Sequence, residues 1–71
     1  MKTYLIDTTI QYLAVDDGNI LSDIERFSFS IESKSKRIAL KKAQKLTLEG
    51  ILIGSSCLKE FNIFIDSCEV V

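Results

Sequence analysis

The side chains of this chain that could recognise a charged partner are concentrated in one short stretch. Residues 33–46 hold six of the nine basic residues and no acidic residue. Cations grouped on one face of a helix attract an anionic surface on a protein or on nucleic acid, and the plain alternative is a solvated face. The sequence therefore predicts a partner-binding surface formed by Lys36, Arg37, Ile38, Lys41, Lys42 and Lys45.

Residue types that carry out catalysis are scarce. The chain has no histidine, which is the commonest acid–base group near neutral pH. Cys57 could be a nucleophile, but no sequence feature supplies a base to its thiol or lowers the thiol pKa. Two thiols are too few for a zinc site, and the three glycines are isolated instead of forming a phosphate-binding loop. We therefore predict that the protein is not an enzyme and has no catalytic, metal or cofactor site.

Length and composition indicate one small globular domain over residues 1–71. Apolar residues make up 46% of the chain and charged residues 27%, as in folded proteins that are neither disordered nor membrane-embedded. The apolar runs are too short to span a membrane, and the first residues alternate instead of forming a signal peptide. We expect a cytoplasmic protein in which Cys57 and Cys68 stay reduced.

The near-neutral net charge hides a strong segregation. Residues 1–32 carry a net charge of −4, residues 33–46 carry +6 and residues 47–71 carry −3, which leaves −1 for the whole chain. A partner would therefore meet a bipolar surface, with a basic helix on an acidic sheet.

The basic stretch, residues 33–46, is also the one segment whose pattern predicts a helix. We predict Ser33 as its N-cap, with Ser35 as the alternative, because a hydroxyl there can accept a bond from an unpaired backbone amide. At 100° per residue, apolar side chains gather on one side that should pack on the sheet. They are Ala39, Leu40, Ala43 and Leu46, with Thr47 among them.

Before the helix, the pattern predicts a hairpin. Residues 3–15 alternate apolar and polar side chains, as a half-buried strand does, and the Asp17-Gly18 step that follows is typical of a tight hairpin turn. Phe27, Phe29 and Ile31 mark the second strand. Because Leu21 and Ile24 do not share one phase with them, we predict a bulge or a short break near residues 23–26.

Two more strands are predicted after the helix. Residues 48–53 read as a third strand, residues 54–57 as a turn and residues 61–70 as a final strand with apolar groups in both phases. The expected fold is α+β with the order ββαββ, a four-stranded antiparallel sheet packed on one helix. The side chains expected on the sheet face away from the helix are Leu5, Leu13, Val15, Phe64, Cys68 and Val70.

The start of the helix resembles a known protein family. Glu32-Ser33, followed by Lys36-Arg37-Ile38-Ala39 and Lys41, is similar to the helix start of small phage-encoded anti-CRISPR proteins in which an antiparallel sheet wraps one helix. The resemblance covers the helix and a few flanking residues. It implies a stoichiometric inhibitor that binds the protein subunits of an RNA-guided host defence complex and acts in the host cell cytoplasm.

Three functions follow as expectations. The first is a non-enzymatic protein-binding module, an inhibitor of the anti-CRISPR type that binds a larger host protein or ribonucleoprotein complex. The second is a small nucleic-acid-binding domain that uses Lys41, Lys42 and Lys45. The third is a structural homodimer that pairs through a free sheet edge or through the second apolar face.

Overall fold

A three-stranded antiparallel sheet with one helix on one of its faces forms the fold. The computed structural model describes residues 1–51 and 57–71. Along the chain it contains β1 (Lys2–Asp16), β2 (Asn19–Ser33), α1 (Lys36–Ile51) and β3 (Cys57–Val70). The strand order in the sheet is β2-β1-β3, so that β1 is central and both of its neighbours are edges. The predicted four-stranded ββαββ sheet is therefore wrong.

The helix runs further than predicted, and it takes up most of the expected third strand. Residues 48–51 belong to α1, whereas residues 52–56 lie outside the described residues. Of the turn predicted at 54–57, only Cys57 is described, and it begins β3 instead of ending a turn. Leu48 and Ile51 are three residues apart, which places them on one helix face, and both are half-buried. This helical spacing outweighs the strand preference of the local sequence.

The hairpin between β1 and β2 forms as predicted. Asp17 and Gly18 have φ angles of 51° and 81°, the two positive values that a type I′ turn needs. The register is unbroken from Lys2↔Ser33 at the open end to Asp16↔Asn19 at the turn. The bulge or short break predicted near residues 23–26 is therefore absent from β2. None is needed, because Leu21 and Ile24 are 46% and 54% exposed and have no core to reach.

The irregularities of the sheet lie in β3 instead. Its register with β1 shifts once between Asp7 and Thr8, where Asp66 is the extra residue, and once between Leu13 and Ala14. The extra residue at 66 brings Ile65 and Cys68 onto the same sheet face although they are three residues apart. One bulge thus explains why β3 carries apolar residues in two phases.

The two sheet faces are distinguished by the parity of β1. The face against the helix, here called the covered face, carries Tyr4, Ile6, Thr8 and Ile10, all at most 4% exposed. The opposite face, here called the outer face, receives the odd-numbered side chains of β1. Four of the predicted outer residues lie there, namely Leu5, Leu13, Val15 and Phe64, whereas Cys68 and Val70 face the helix because they pair with Ile6 and Tyr4.

Small side chains let the helix lie close to β1. Ala39, Ala43 and Thr47 recur every four residues and are fully buried. Leu46, predicted to hold the sheet, is 41% exposed, and Thr47 takes the contact position in its place. Gly50 continues this close approach, since a Cβ atom there would lie 2.9 Å from the Phe27 ring.

One polar pair crosses the interface between the helix and the sheet. The Thr47 hydroxyl lies 2.7 Å from the Ala43 carbonyl oxygen and 2.7 Å from the Thr8 hydroxyl. Thr47 donates its one proton to Ala43, so Thr8 must donate to the Thr47 oxygen. Both hydroxyls are thus satisfied at zero exposure, as buried polar groups require.

The helix is about half as long as the hairpin. Sixteen helical residues rise about 24 Å, whereas fifteen strand residues extend about 45 Å. The molecule measures 45 × 18 × 14 Å, and the part of β2 next to the turn, residues 19–26, is exposed throughout. In the ranges that the structure describes, no helix combines the length and apolar character needed to cross a membrane.

Candidate functional site

The predicted basic surface exists as a ridge along the solvent side of α1. At 100° per residue its members fall within an arc of about 140°, opposite the buried Ala39, Ala43 and Thr47. We name this surface the basic ridge, and its residues, all exposed, are Arg37, Ile38, Lys41, Lys42 and Lys45. From the first to the last of them the helix rises about 12 Å.

Two of the six predicted residues differ in kind from the others. Lys36 is exposed, but it does not belong to the ridge. It is the first helical residue, and the helical period places it on the side of α1 that faces the sheet. Ile38 is 45% exposed in the middle of the cations. An exposed isoleucine flanked by charges gives the ridge an apolar contact point as well as positive potential.

The helix start is capped by serine but not by an acid. The amide of Ile38 donates to the Ser35 side-chain oxygen at 3.3 Å, and Ala39 makes the first helical backbone bond to the Ser35 carbonyl. Ser35 is therefore the N-cap, and the prediction of Ser33 is wrong. Ser33 ends β2, and its hydroxyl donates to the Ser35 carbonyl oxygen. The first turn contains no acidic residue, so the positive end of the helix dipole adds to the charge of the lysines.

The outer face carries a polar network that the sequence pattern did not reveal. The Asp7 carboxylate on the central strand accepts hydrogen bonds from Ser28 on β2 at 2.7 Å and from Ser67 on β3 at 3.0 Å. These two hydroxyls lower the pKa of Asp7 below its ordinary value. Asp7 is therefore ionised throughout the neutral range. The available signal was its place on the polar side of β1, but only the register shows which serines flank it.

Negative charge dominates this outer face. Thr9 donates to the Asp66 carboxylate of the bulge, and Arg26 lies opposite Thr9 on β2. The register places the acidic side chains Asp7, Glu32, Glu60 and Glu69 on the outer face, and the bond from Thr9 places Asp66 there as well. The molecule thus presents a cationic ridge on one side and an anionic sheet on the other, as the segregation of charge along the sequence predicted.

Two groups in the described residues, Tyr12 and Asp7, have a shifted pKa, and neither shift favours acid–base catalysis at neutral pH. Burial, with the carboxylates of Glu25 and Asp23 as further causes, raises the pKa of Tyr12, which keeps its hydroxyl protonated. Asp7 is shifted in the opposite direction and stays charged. A general acid or base works best with a pKa near the working pH, and both shifts lead away from it.

The two cysteines are far apart on β3. Cys57 pairs with Val15 and Cys68 with Ile6, so about nine residues of β1, or about 30 Å, separate the two positions. Disulfides need Cα atoms within about 7 Å, which excludes a bond between them in one chain. Cys68 is a half-buried free thiol on the covered face. Within residues 1–51 and 57–71, no three metal-ligating side chains come together.

Comparisons of the chain with family models, with curated proteins and with solved structures give no match.

Proposed function

We propose that the protein is a non-catalytic module that binds an acidic protein surface through the basic ridge, and that it acts as an inhibitor of the anti-CRISPR type on an RNA-guided host defence complex. The exposure of the ridge carries the proposal: four cations surround the exposed Ile38 on one helix face. The resemblance of residues 32–41 to anti-CRISPR helix starts supplies the class of target.

Ile38 favours a protein partner over nucleic acid. Phosphate backbones are held by cations and hydrogen-bond donors, and an isoleucine at the centre of the contact adds nothing to them. At a protein interface the same side chain can fill an apolar pocket while the surrounding lysines pair with carboxylates at the rim. The anionic outer face and the net charge of −1 also weaken attraction to a polyanion.

A host assay tests the inhibitor proposal directly. The protein is expressed in bacteria that carry an active RNA-guided defence aimed at a phage, and the efficiency of plating is compared with hosts that lack the guide. We expect the wild-type protein to restore plating and the ridge variant Lys41→Glu/Lys45→Glu to fail. Lys2→Glu/Lys59→Glu is the matched control and should still inhibit, because it also reverses two charges, both on exposed strand residues away from the ridge.

Two outcomes contradict the proposal. If the wild-type protein restores plating in no host of a panel covering each mechanistic class of RNA-guided effector, the inhibitor function is wrong. If the ridge variant folds and inhibits as well as the wild type, inhibition uses another surface. Circular dichroism of both variants excludes misfolding as the cause of lost inhibition.

A second candidate function is binding to nucleic acid, which the alignment of cations over about 12 Å of helix favours. Gel-shift titrations with duplex DNA, single-stranded DNA and RNA at about 50 and about 200 mM salt decide the matter. Four phosphate contacts would lower the affinity roughly a hundredfold between these conditions. The absence of any shift at the lower salt concentration removes this candidate and leaves the protein surface as the partner.

A further inference from the structure

The outer edge of β2 is the regular free edge of the sheet. Edge strands expose unpaired backbone groups, and proteins usually block them with bulges, prolines or lysines. β3, the other edge, contains two bulges. β2 contains no proline and no lysine, and its register with β1 is unbroken over all fifteen residues. Charged side chains also protect sheet edges, and they are the one such device in β2, as Asp23, Glu25, Arg26 and Glu32. Because both signs are present, a second copy in a suitable register can pair these charges instead of being repelled by them.

The hairpin turn fixes which β2 residues face outward. In a two-residue hairpin the residues that flank the turn, Asp16 and Asn19, form a hydrogen-bonded pair. Hydrogen-bonded pairs alternate along an antiparallel ladder, so the odd-numbered residues of β2 bond to β1. The backbone amides and carbonyls of the even-numbered residues therefore point away from the sheet. In the half of β2 that lies next to the helix, these residues are Arg26, Ser28, Ser30 and Glu32.

Only certain registers suit a second copy of β2. A twofold axis perpendicular to the sheet pairs residues at equal distances on either side of one central residue. When the axis passes beside Asp23, Glu25 or Arg26, that charged residue lies opposite the same residue of the second copy. When it passes beside Ile24, Asp23 lies opposite Glu25 of the second copy, which also opposes like charges. A centre at Phe29 instead places Arg26 opposite Glu32 of the second copy, twice by symmetry.

Apolar side chains agree with the centre at Phe29. Phe29 then meets its own counterpart at a non-hydrogen-bonded position, where cross-strand side chains are closest, and Phe27 faces Ile31 of the second copy. In the single chain the Phe27 and Phe29 rings are stacked with centroids 6.0 Å apart and are only half-buried on the covered face. The exposed Leu46 lies on the β2 side of the helix, next to Gly50, which contacts Phe27.

The same register accounts for the cationic helix start. It places Glu25 opposite Ser33 of the second copy, two residues before the Ser35 cap. The exposed Asp23 and Glu25 carboxylates of one copy then lie beside Lys34 and Lys36 of the other. The acids missing from the first helical turn are supplied by the partner, where they also face the positive end of the helix dipole.

We propose that two copies of this chain associate through antiparallel β2–β2 pairing centred on Phe29, which forms a continuous six-stranded sheet with both helices on one face. The occupant of the edge is a second copy of this chain, because the charges of β2 and of the helix start complement themselves in this register. The inference is independent of the basic ridge, which stays exposed on the solvent side of each helix.

Sedimentation equilibrium with a charge swap tests the pairing. We expect the wild-type protein to dimerise at micromolar concentration, and Arg26→Glu or Glu32→Arg alone to weaken the dimer about tenfold or more by opposing like charges. Combining Arg26→Glu with Glu32→Arg should restore the wild-type affinity. Both side chains are exposed, and thermal unfolding of each variant verifies that the fold is retained.

A proline pair tests the edge independently of charge. Ser30→Pro removes an outward-facing amide in the centre of the pairing segment without removing a bond to β1, and the variant should be monomeric. Ser22→Pro changes the same kind of position in the part of β2 beyond the pairing segment, and it should dimerise as the wild type does. A wild-type protein that stays monomeric at roughly 100 μM overturns the proposal. So does a dimer that persists in Ser30→Pro, or one that the double charge swap fails to restore.

Discussion

The covered and outer faces of the sheet both carry hydroxyl-based hydrogen bonds, in opposite surroundings. On the covered face, Thr8 and Thr47 form a single bonded pair at zero exposure, flanked by the two buried alanines of the helix. On the outer face, the Asp7 carboxylate takes two serine hydroxyls in full contact with solvent. Thr8 and Asp7 are adjacent in sequence, so one step along β1 separates a dry network from a wet one.

The difference shows that side-chain parity decides what each residue contributes to stability. A hydrogen bond in the dry network cannot be replaced by water, so removing one partner leaves the full desolvation cost of the other. A bond in the wet network exchanges with water at little net loss. Changes that move residues between the faces should therefore have the largest effects, and changes within the outer face the smallest.

The first prediction uses single-residue deletions in the two edge strands. Deletion of Ser30 from the regular β2 should move either Phe27 and Phe29 or Ile31 onto the outer face, because a one-residue slip reverses the phase of a strand. We expect a loss of more than about 3 kcal/mol in the free energy of unfolding, or loss of cooperative folding, measured by urea denaturation.

Deletion of Asp66 from the bulged β3 is the matched control. Without it, Ile65, Ser67 and Cys68 alternate regularly, and each apolar side chain stays on the covered face. Only the exposed bond from Thr9 is lost, at a cost of about 1 kcal/mol. Equal effects of the two deletions would contradict the assignment of the bulge to residue 66.

The location of the bulges could not be predicted from the sequence. Alternation was sufficient to predict β1, the Asp17-Gly18 turn and the half of β2 that contains Phe29. A change of phase was visible in both edge strands, yet only β3 contains bulges. The deciding quantity is burial: Ile24 remains exposed and needs no correction, whereas Ile65 and Cys68 both pack against the core. Burial depends on where the helix ends, and one strand's pattern does not contain that information.

The basic ridge was easier to predict than the contacts under it. Five of the six predicted residues form the ridge, whereas Lys36 is exposed outside it, where the same helical period places it. On the opposite side the sequence predicted contacts for Leu46 as well as Thr47, but Leu46 is 41% exposed and only Thr47 is buried. The structure selects Thr47 because it continues the spacing of Ala39 and Ala43 and finds a partner in Thr8. The bond between Thr8 and Thr47 joins residues that are 39 positions apart, so the pattern of the helix alone does not show it.

The second prediction compares two neighbours on β1. Ile6 is fully buried on the covered face, and Leu5 is 45% exposed on the outer face. Ile6→Ala should lower the free energy of unfolding by about 2–5 kcal/mol because it leaves a cavity beneath the helix. Leu5→Ala should cost less than about 1 kcal/mol. Urea denaturation of both variants at pH 7 measures the difference, and similar losses would mean that the outer face is covered in solution.

The third prediction concerns the dry network. Thr47→Val removes the hydroxyl that accepts from Thr8 and leaves that buried donor without a partner, at a cost of about 1–3 kcal/mol. Adding Thr8→Val should recover part of the loss, since both partners are then apolar and similar in shape. A double variant whose loss equals the sum of the two single losses would show that the hydroxyls do not interact.

The last and smallest effect is expected from Asp7 on the outer face. Its pKa is lowered in the folded protein by the Ser28 and Ser67 hydroxyls, so its contribution to stability is present above the unfolded pKa of about 3.9 and is lost as the pH falls through the lower, folded value. Asp7→Asn has no such titration. The melting temperature of the wild type should therefore exceed that of Asp7→Asn slightly at pH 7, and the gap should close in acid, as the pH falls through the lowered, folded pKa of Asp7. Scanning calorimetry from pH 7 into acid measures it, and a gap that widens in acid would show that the serines favour the protonated carboxyl.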